Sequence, residues 1–558
     1  MKKQLLLPVL MLLFLTGFRS NTMACTNFLI TKGASTDGSV MISYSADSHT
    51  LYGELYYRPA KDYPANTMVD VYEWDTGKLL GKIAQVKHTF SVVGNMNEYQ
   101  VALGETTYGG RDELQHQKGA VVDYGSMMYI ALQRAKTARE AIKVMTDLVA
   151  EYGYASEGES ISVSDANEAW IFEIIGKGEG QKGAVWVARR IPDGYICGHA
   201  NEARITQFPL NDPENCLFSS DVITFARSKG YFDGKDEEFS FSDTYAPVTF
   251  SGARACEARV WAMFNRINSN MGQYQDYAMG KLVKGKWGYT MNRMPLWIKP
   301  DKKVSVHDVM ELMRDHYEGT KMDMTKDIGA GPFTCPYRWR PMTWKVDSVP
   351  YVHERAVSTQ QTGFVFVAQS RSWLPNWIGG IHWFGVDDTY TTVFSPMYCG
   401  ITKIPESYAE GNGTILKYSP TSAFWAFNWV ANWAYTKYSY MIKDIQLVQR
   451  ELETKYTTEV VNKIDKEALD LYKKDKNKAR VYLTNYSVKT GNSTVKRWQE
   501  LGQYLLVKYI DGNIKKEKDG KFIDNGTGQA VMPNQPGYPE WWLKEIVREH
   551  GDGVKEIK

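Results

Sequence analysis

Ala24-Cys25-Thr26-Asn27-Phe28-Leu29-Ile30-Thr31, continuing through Lys32-Gly33-Ala34-Ser35-Thr36-Asp37-Gly38-Ser39, is a strand running into a turn. Cys25 to Thr31 has the β-branched and aromatic content of a strand, Gly33 to Ser39 carries an Asp-Gly turn signal, and Val40 to Tyr44 returns as the partner strand. Ahead of it, Lys2 and Lys3 give a short positive region, Leu5 to Leu15 an apolar run, and Thr22-Met23-Ala24 a small-x-small exit. This is the layout of a cleavable export signal over residues 1–24. Cleavage after Ala24 makes Cys25 the first residue, with a thiol and a free α-amine on one position. A nucleophile and a general base then arrive together. Its place on a paired strand holds that terminus in order, where chain ends usually fray.

More strands are expected at Tyr99 to Glu105, Ile161 to Ser164 and Ala169 to Ile175, with Val185 to Arg189 extending the sheet. Helices are expected at Tyr124 to Arg134 and at Thr137 to Glu151, the second opening with a Thr137/Glu140 capping box. A similar box, Ser305 with Asp308, predicts a helix that carries Val309, Leu312 and Met313 and stops near Gly319. Strand hairpins interleaved with paired helices argue for an α+β fold of mostly antiparallel sheets. From residue 421 the pattern turns helical, including Ala423 to Lys455 and Thr457 to Lys473. The tail from Asn525 to Pro539, rich in Gly, Pro and Asn, reads as irregular.

Composition narrows the partners. The chain has 558 residues, 66 Lys+Arg against 64 Asp+Glu, and a formal net charge of +2. That leaves no global field for nucleic acid or an anionic membrane. A small neutral or zwitterionic substrate fits better. After the leader no segment approaches the roughly 20 apolar residues of a membrane span. The 17 Trp and 35 Tyr are spread along the chain and read as core more than as sugar-stacking surface. Beyond Cys25 the five cysteines Cys197, Cys216, Cys256, Cys335 and Cys399 permit up to two bridges in an exported protein. His199, His307 and His316 fall into no metal-binding spacing and no C-x-x-C pair exists, so neither a metal nor another cofactor is expected. Oligomerisation is left open.

Five stretches together are similar to the cysteine-nucleophile dipeptidases of the N-terminal nucleophile (Ntn) hydrolase superfamily: Ala24 to Ser39, Asn97 to Thr107, Ile161 to Ile174, Ala200 to Ile205 and Trp377 to Asp388. The resemblance implies a four-layer αββα sandwich over residues 25–420, with residues 421–558 as a helical appendage. It also implies cleavage of small peptides through a thioester on Cys25. A free thiol (pKa about 8.5) and an α-amine (about 7.7 to 8.0) can exchange a proton near neutrality. The amine takes the thiol proton as sulfur attacks, then gives it to the leaving nitrogen, and water resolves the thioester.

Asp47 occupies the position of the family's orienting carboxylate, although an Asp there also suits a turn cap. The family pattern has Arg three residues before it, and this chain has Tyr44. Asn201 resembles the oxyanion-stabilising position, or is a turn Asn. Thr106 or Thr107 is the expected second donor. Arg204, Arg254 and Arg259 are candidates for holding a substrate carboxylate, each also readable as an ordinary solubilising arginine. Residues His382 to Asp388 read as a packed strand whose Asp387 and Asp388 could reach the site. Two other readings remain: an amide acylase of the same superfamily, acting on acyl-amino acids or bile-salt-like amides, and a non-catalytic glycan-binding surface protein anchored by a lipid on Cys25.

Overall fold

The computed structural model describes residues 25–557, so the leader expected at 1–24 lies outside the described residues. Thr26–Ile30 and Val40–Asp47 form the expected hairpin at the centre of a seven-stranded antiparallel sheet. In spatial order the strands are Trp297–Ile298, Ile196–His199, Thr26–Ile30, Val40–Asp47, Thr362–Ser370, Gly380–Val386 and Ser395–Tyr398. A second, eight-stranded antiparallel sheet is built mainly from Ala102–Gly109, Gly158–Ser164, Ala169–Gly176 and Ala184–Arg190. The two sheets face each other across Thr26–Ile30, Val40–Asp47 and Ala102–Gly109. Every residue of Val40–Asp47 is buried, as expected of a strand covered on both faces.

Close approach of the sheets depends on Gly104. A Cβ there would stand 2.7 Å from Asn27 Oδ1 and 3.1 Å from the Tyr44 Cβ. Asn27 uses the closeness to donate from Nδ2 to the Glu105 carbonyl at 2.7 Å, tying sheet to sheet.

The helices Tyr124–Arg134 and Ala138–Tyr152 pack on the eight-stranded sheet. The first is capped by a reciprocal Asp123/Ser126 box, an arrangement worth about 1 kcal/mol. The second starts one residue later than expected. Thr137 does accept from the Glu140 N–H, but the Glu140 carboxylate takes the Lys136 N–H, so the box is not closed. Two further boundaries differ. The strand expected from Tyr99 begins at Ala102, because Gln100 adopts a positive φ of 69° and turns the chain. The Ser305/Asp308 box is complete, yet its helix ends at Leu312 rather than near Gly319.

On the seven-stranded sheet lie Ala258–Ile267, Val306–Leu312 and the helical C-terminal region. That region is more broken, and longer, than the sequence suggests. Ala423–Tyr435 and Tyr438–Glu459 are separate helices. A π-turn at Val460–Ile464 leads into Asp465–Lys474, and Lys476–Tyr509 is a 34-residue helix that periodicity did not reveal. Buried ion pairs fasten it to the sheet: Arg314 to Glu453, and Arg371 to Asp465. Residues 525–539 are free of regular helix and strand, as expected, and Glu540–His550 is a final helix.

Trp170, Trp261, Trp383 and Trp498 are fully buried, which places much of the aromatic content in the core. All six cysteines are free, so the disulfides that the composition allowed are absent. Among the described residues no helix is long and apolar enough to cross a membrane.

Candidate functional site

Cys25 stands at the open end of the strand Thr26–Ile30, only 2% exposed, with its side chain in the wall of a cavity of about 300 Å³. Tyr44, Asp47, Tyr56, Trp74 and Phe364 share that wall. The sulfur is therefore shielded but reachable.

Two residues fix the main chain of Cys25. Its N–H donates to Asn201 Oδ1 at 2.8 Å, and its carbonyl accepts from Arg259 Nη1. Arg259 also donates to Thr26 Oγ1 at 2.8 Å and, through Nη2, to Asn201 Oδ1 at 2.9 Å. Asn201 completes the set by donating from Nδ2 to the Thr107 carbonyl at 2.7 Å. Two donors converge on one side of the amide and an acceptor sits on the other, so the orientation of this Asn follows from its neighbours. The backbone of Asn201 is left-handed, φ 55°, a conformation that Asn tolerates better than most residues. Asn201 thus holds the Cys25 nitrogen through its oxygen and ties it to the strand of Thr107 through its nitrogen.

The sulfur lies 3.6 Å from both the Tyr44 hydroxyl and Glu105 Oε1, and Tyr44 donates to that same oxygen at 2.5 Å. Burial pushes the thiol well above its usual pKa, and the charges of Glu105 and Asp47 add to the effect. The Asp47 backbone N–H and the Tyr44 hydroxyl favour the thiolate and offset part of it. Glu105 is itself raised to about 7 by burial. It faces Glu159, whose carboxyl is also raised, by burial and by the Glu105 charge. Two buried carboxyls facing each other resist being charged together.

Asp47 sits beside this centre with three donors: Arg355 Nη2 at 3.0 Å, Thr362 Oγ1 at 2.7 Å and Ser45 Oγ at 3.3 Å. Burial raises its carboxyl, and Arg355 and Thr362 hold it partly down. Arg355 was not visible in the sequence reading. It brings a guanidinium to Asp47 from more than three hundred residues away, in a chain with Tyr44 at the family's usual arginine position. Nothing in local spacing could have found it. Glu105 and Glu159 were likewise missed as site residues, because only strand register sets Thr107 opposite Glu159.

Other expected residues lie elsewhere or do different work. Arg204 is buried and spent on the Gly198, Leu296 and Pro295 carbonyls and on Glu257, so it has no free fork for a substrate carboxylate. Arg254 pairs with Glu354, away from the cavity wall. Arg259 reaches the site, but its hydrogen bonds go to the nucleophile's own main chain. Thr106 gives its hydroxyl to a bond with His199 Nδ1 at 2.8 Å and is fully buried, so that side chain does not face a substrate. Burial drives His199 down to about 3, leaving it neutral between Thr106 and Ser162. Thr107 donates to Glu159 Oε1 at 2.8 Å. Asp387 and Asp388 do not reach the site: they accept from Asn428, and from Tyr337 and Tyr435, on the opposite side of their sheet. Among the described residues His307, Glu311 and Glu453 come close enough to share a cation, but Arg314 already donates to both carboxylates.

Comparison with known proteins agrees in one direction. Residues 24–451 match the family described as Peptidase family C69. The chain is 27% identical over 405 residues to a probable dipeptidase of Latilactobacillus sakei, covering 69% of this chain and 76% of that protein. It is 25% identical over 398 residues to a probable dipeptidase of Salmonella dublin, covering 68% and 81%. A probable dipeptidase B of Streptococcus pyogenes serotype M1 aligns at 22% identity over 532 residues, 92% of this chain and 97% of that protein.

Proposed function

The chain belongs to peptidase family C69, a cysteine peptidase family of the Ntn-like superfamily, and on that premise we propose that it is an exported dipeptidase whose nucleophile is the sulfur of an N-terminal Cys25. The two facing antiparallel sheets, with helices against each, support the four-layer Ntn sandwich. The names of the relatives support dipeptides as substrates.

One observation carries the mechanism. The nitrogen and sulfur of Cys25 are held on one residue at a cavity wall, the nitrogen by Asn201 and the carbonyl by Arg259. Once the peptide bond to Ala24 is cut, that nitrogen is a free amine in the same place. It takes the thiol proton as sulfur attacks the substrate carbonyl, forming the C–S bond. The tetrahedral intermediate collapses with loss of the amine product, which receives the proton, and water then hydrolyses the thioester. The proposal gives the second Asn201 N–H to the oxyanion, a contribution of about 3 kcal/mol to the transition state. Asp47, held by Arg355 and Thr362, keeps its own backbone N–H on the Cys25 sulfur, where it favours the thiolate.

The deciding experiment is turnover of a panel of dipeptides and acyl-amino acids by the purified mature protein and by its Cys25→Ala and Cys25→Ser variants. The proposal expects dipeptide cleavage by the wild type and none by the Ala variant. Equal turnover by both ends it, and preference for acyl-amino acids moves the reading to an acylase.

A further inference from the structure

Beyond the cavity at Cys25 lies a second one of about 210 Å³, and the two share Asp75 and Tyr124 in their walls. Glu73, Asp123, Glu157 and Glu159 also line the second cavity, and His116 is its one basic residue. The hairpin Met68–Tyr72/Leu79–Ala84 carries Glu73 and Asp75 in its connecting turn. That turn is pinned by the Trp74 N–H donating to Asp123 Oδ2 at 2.8 Å. Tyr124 donates to Asp75 Oδ1 at 2.9 Å.

The charges acting most strongly on Asp75 are those of Asp123, Glu73 and Glu157, all of its own sign. Glu159 is only 1% exposed, and its Oε2 meets no protein N–H or O–H. Glu105 Oε2 is in the same position. Glu157 has His116 Nε2 at 3.6 Å, but Asp75 is surrounded by charges of its own sign and the Glu159 Oε2 has no donor; a buried carboxylate so placed is costly, and a positive charge from outside would complete it.

Stereochemistry says where that charge falls. In a peptide with a free N-terminus the α-nitrogen lies about 2.5 Å from the carbonyl carbon of its own residue, by ordinary bond lengths and angles. When sulfur attacks that carbon, the ammonium is therefore within a few ångströms of Cys25 Sγ, the neighbourhood of Glu105 Oε1. A side-chain ammonium on the same residue reaches further, toward Asp75 and Glu159.

We propose that the acidic chamber behind Cys25, with Asp75 and Glu159 as its principal carboxylates, is the subsite that binds an ammonium group on the substrate's N-terminal residue. This rests on the reading of Cys25 as the nucleophile and adds what selects the substrate. A cation bound there also offsets the Glu105 and Asp47 charges that burden the thiolate, so the group that is recognised assists the attack.

The test measures KM and kcat of wild type, Asp75→Asn and Glu159→Gln on Leu-Ala, Lys-Ala and N-acetyl-Leu-Ala. Loss of a hydrogen bond to a charged group predicts a rise in KM of about tenfold or more. If the α-ammonium is the ligand, the rise is seen with Leu-Ala and Lys-Ala, and the wild type handles the acetylated peptide poorly. If the side-chain ammonium is the ligand, it is seen with Lys-Ala alone. Either result supports the subsite. It is overturned if the variants change all three substrates equally or not at all. A second measurement needs neither a variant nor turnover: calorimetric binding of pentylamine and of pentanol to the wild type. The proposal expects the amine to bind and the alcohol not to. Equal binding of the two, or none of either, overturns it. Should the wild type cleave no peptide while the amine still binds, the dipeptidase reading fails and the subsite stands.

Discussion

Exchanging Asp47 for Asn, alone and together with Arg355→Met, separates the stability of the site from its chemistry. Asp47 is 1% exposed and Arg355 is 7% exposed, and they meet at 3.0 Å. Two unit charges at about 4 Å attract by about 4 kcal/mol at an effective dielectric near 20, and removing one partner of a buried pair typically costs about 3–5 kcal/mol. Asn keeps the acceptor for Thr362 and Ser45, which places Asp47→Asn near the lower limit, about 3 kcal/mol. In a protein of this size that is a fall in Tm of roughly 3 °C. Burial and the nearby Arg259 already hold Arg355 down to about 10, so losing its carboxylate depresses it further. Arg355→Met should cost a similar amount, because Asp47 is then left buried with only neutral donors. The double variant has no unpaired charge, so its Tm should recover to within about 1 °C of wild type, which makes the two single costs strongly non-additive in the cycle. Turnover should behave otherwise. With Asp47 orienting the Cys25 centre, kcat/KM falls by about 100-fold or more in Asp47→Asn and stays low in the double variant. Scanning calorimetry and dipeptide hydrolysis on the four proteins read both quantities. Recovery of activity in step with stability would refute the catalytic part and leave Asp47 a structural residue. Single variants that melt with the wild type would refute the buried pair itself.

Gly104→Ala should lower both Tm and turnover, since its Cβ meets Asn27 Oδ1 and the Tyr44 Cβ too closely; an Ala variant that melts and turns over as the wild type does would show the sheets can part at no cost. Glu105 and Glu159 have raised carboxyl pKa values in the folded state, so their contribution is fully present below the ordinary Glu pKa and is lost as pH rises through about 7. Glu159→Gln removes the like charge, and urea unfolding should show a smaller loss of stability between pH 5 and pH 8 than in wild type; an unchanged slope would contradict the repulsion between the two carboxyls. Glu453→Gln leaves buried Arg314 with the exposed Glu311 as its remaining carboxylate and should destabilise by about 3 kcal/mol, with KM for dipeptides unchanged because the pair lies away from the cavity; a large KM change with no loss of Tm would reverse that assignment.

What the sequence disclosed follows from what is local. The hairpin around Cys25 carries its own turn signal, and the helix starts at Ser305 and near Thr137 carry their own caps, so each is readable within a dozen residues. Asp47 and Asn201 were singled out through resemblance; the structure sets Asn201 on the Cys25 nitrogen and the Asp47 backbone N–H on the sulfur. Arg355, Glu105 and Glu159 escaped because their significance is relational. Glu105 becomes a neighbour of sulfur only when the two sheets stack across Gly104, and Glu159 joins it only through the register of two strands. The errors have the same origin. Arg204 has the residue type of an anion binder, and only the fold shows its guanidinium consumed by main-chain carbonyls and Glu257. Asp387 and Asp388 follow a buried strand, and the positive φ of 66° at Asp387 turns the chain toward the C-terminal helices. The long helix Lys476–Tyr509 hid behind a charge-rich start whose cap, Asp475, is plain only once its side chain is seen accepting from Asn477 and Lys478.

The most direct test of the central claim is the mass of the N-terminal peptide of the catalytically active protein. The account predicts a chain that begins at Cys25 with its amine and thiol both unmodified. Full activity in a protein that retains residues ahead of Cys25, or that carries an acyl group on it, would contradict the account.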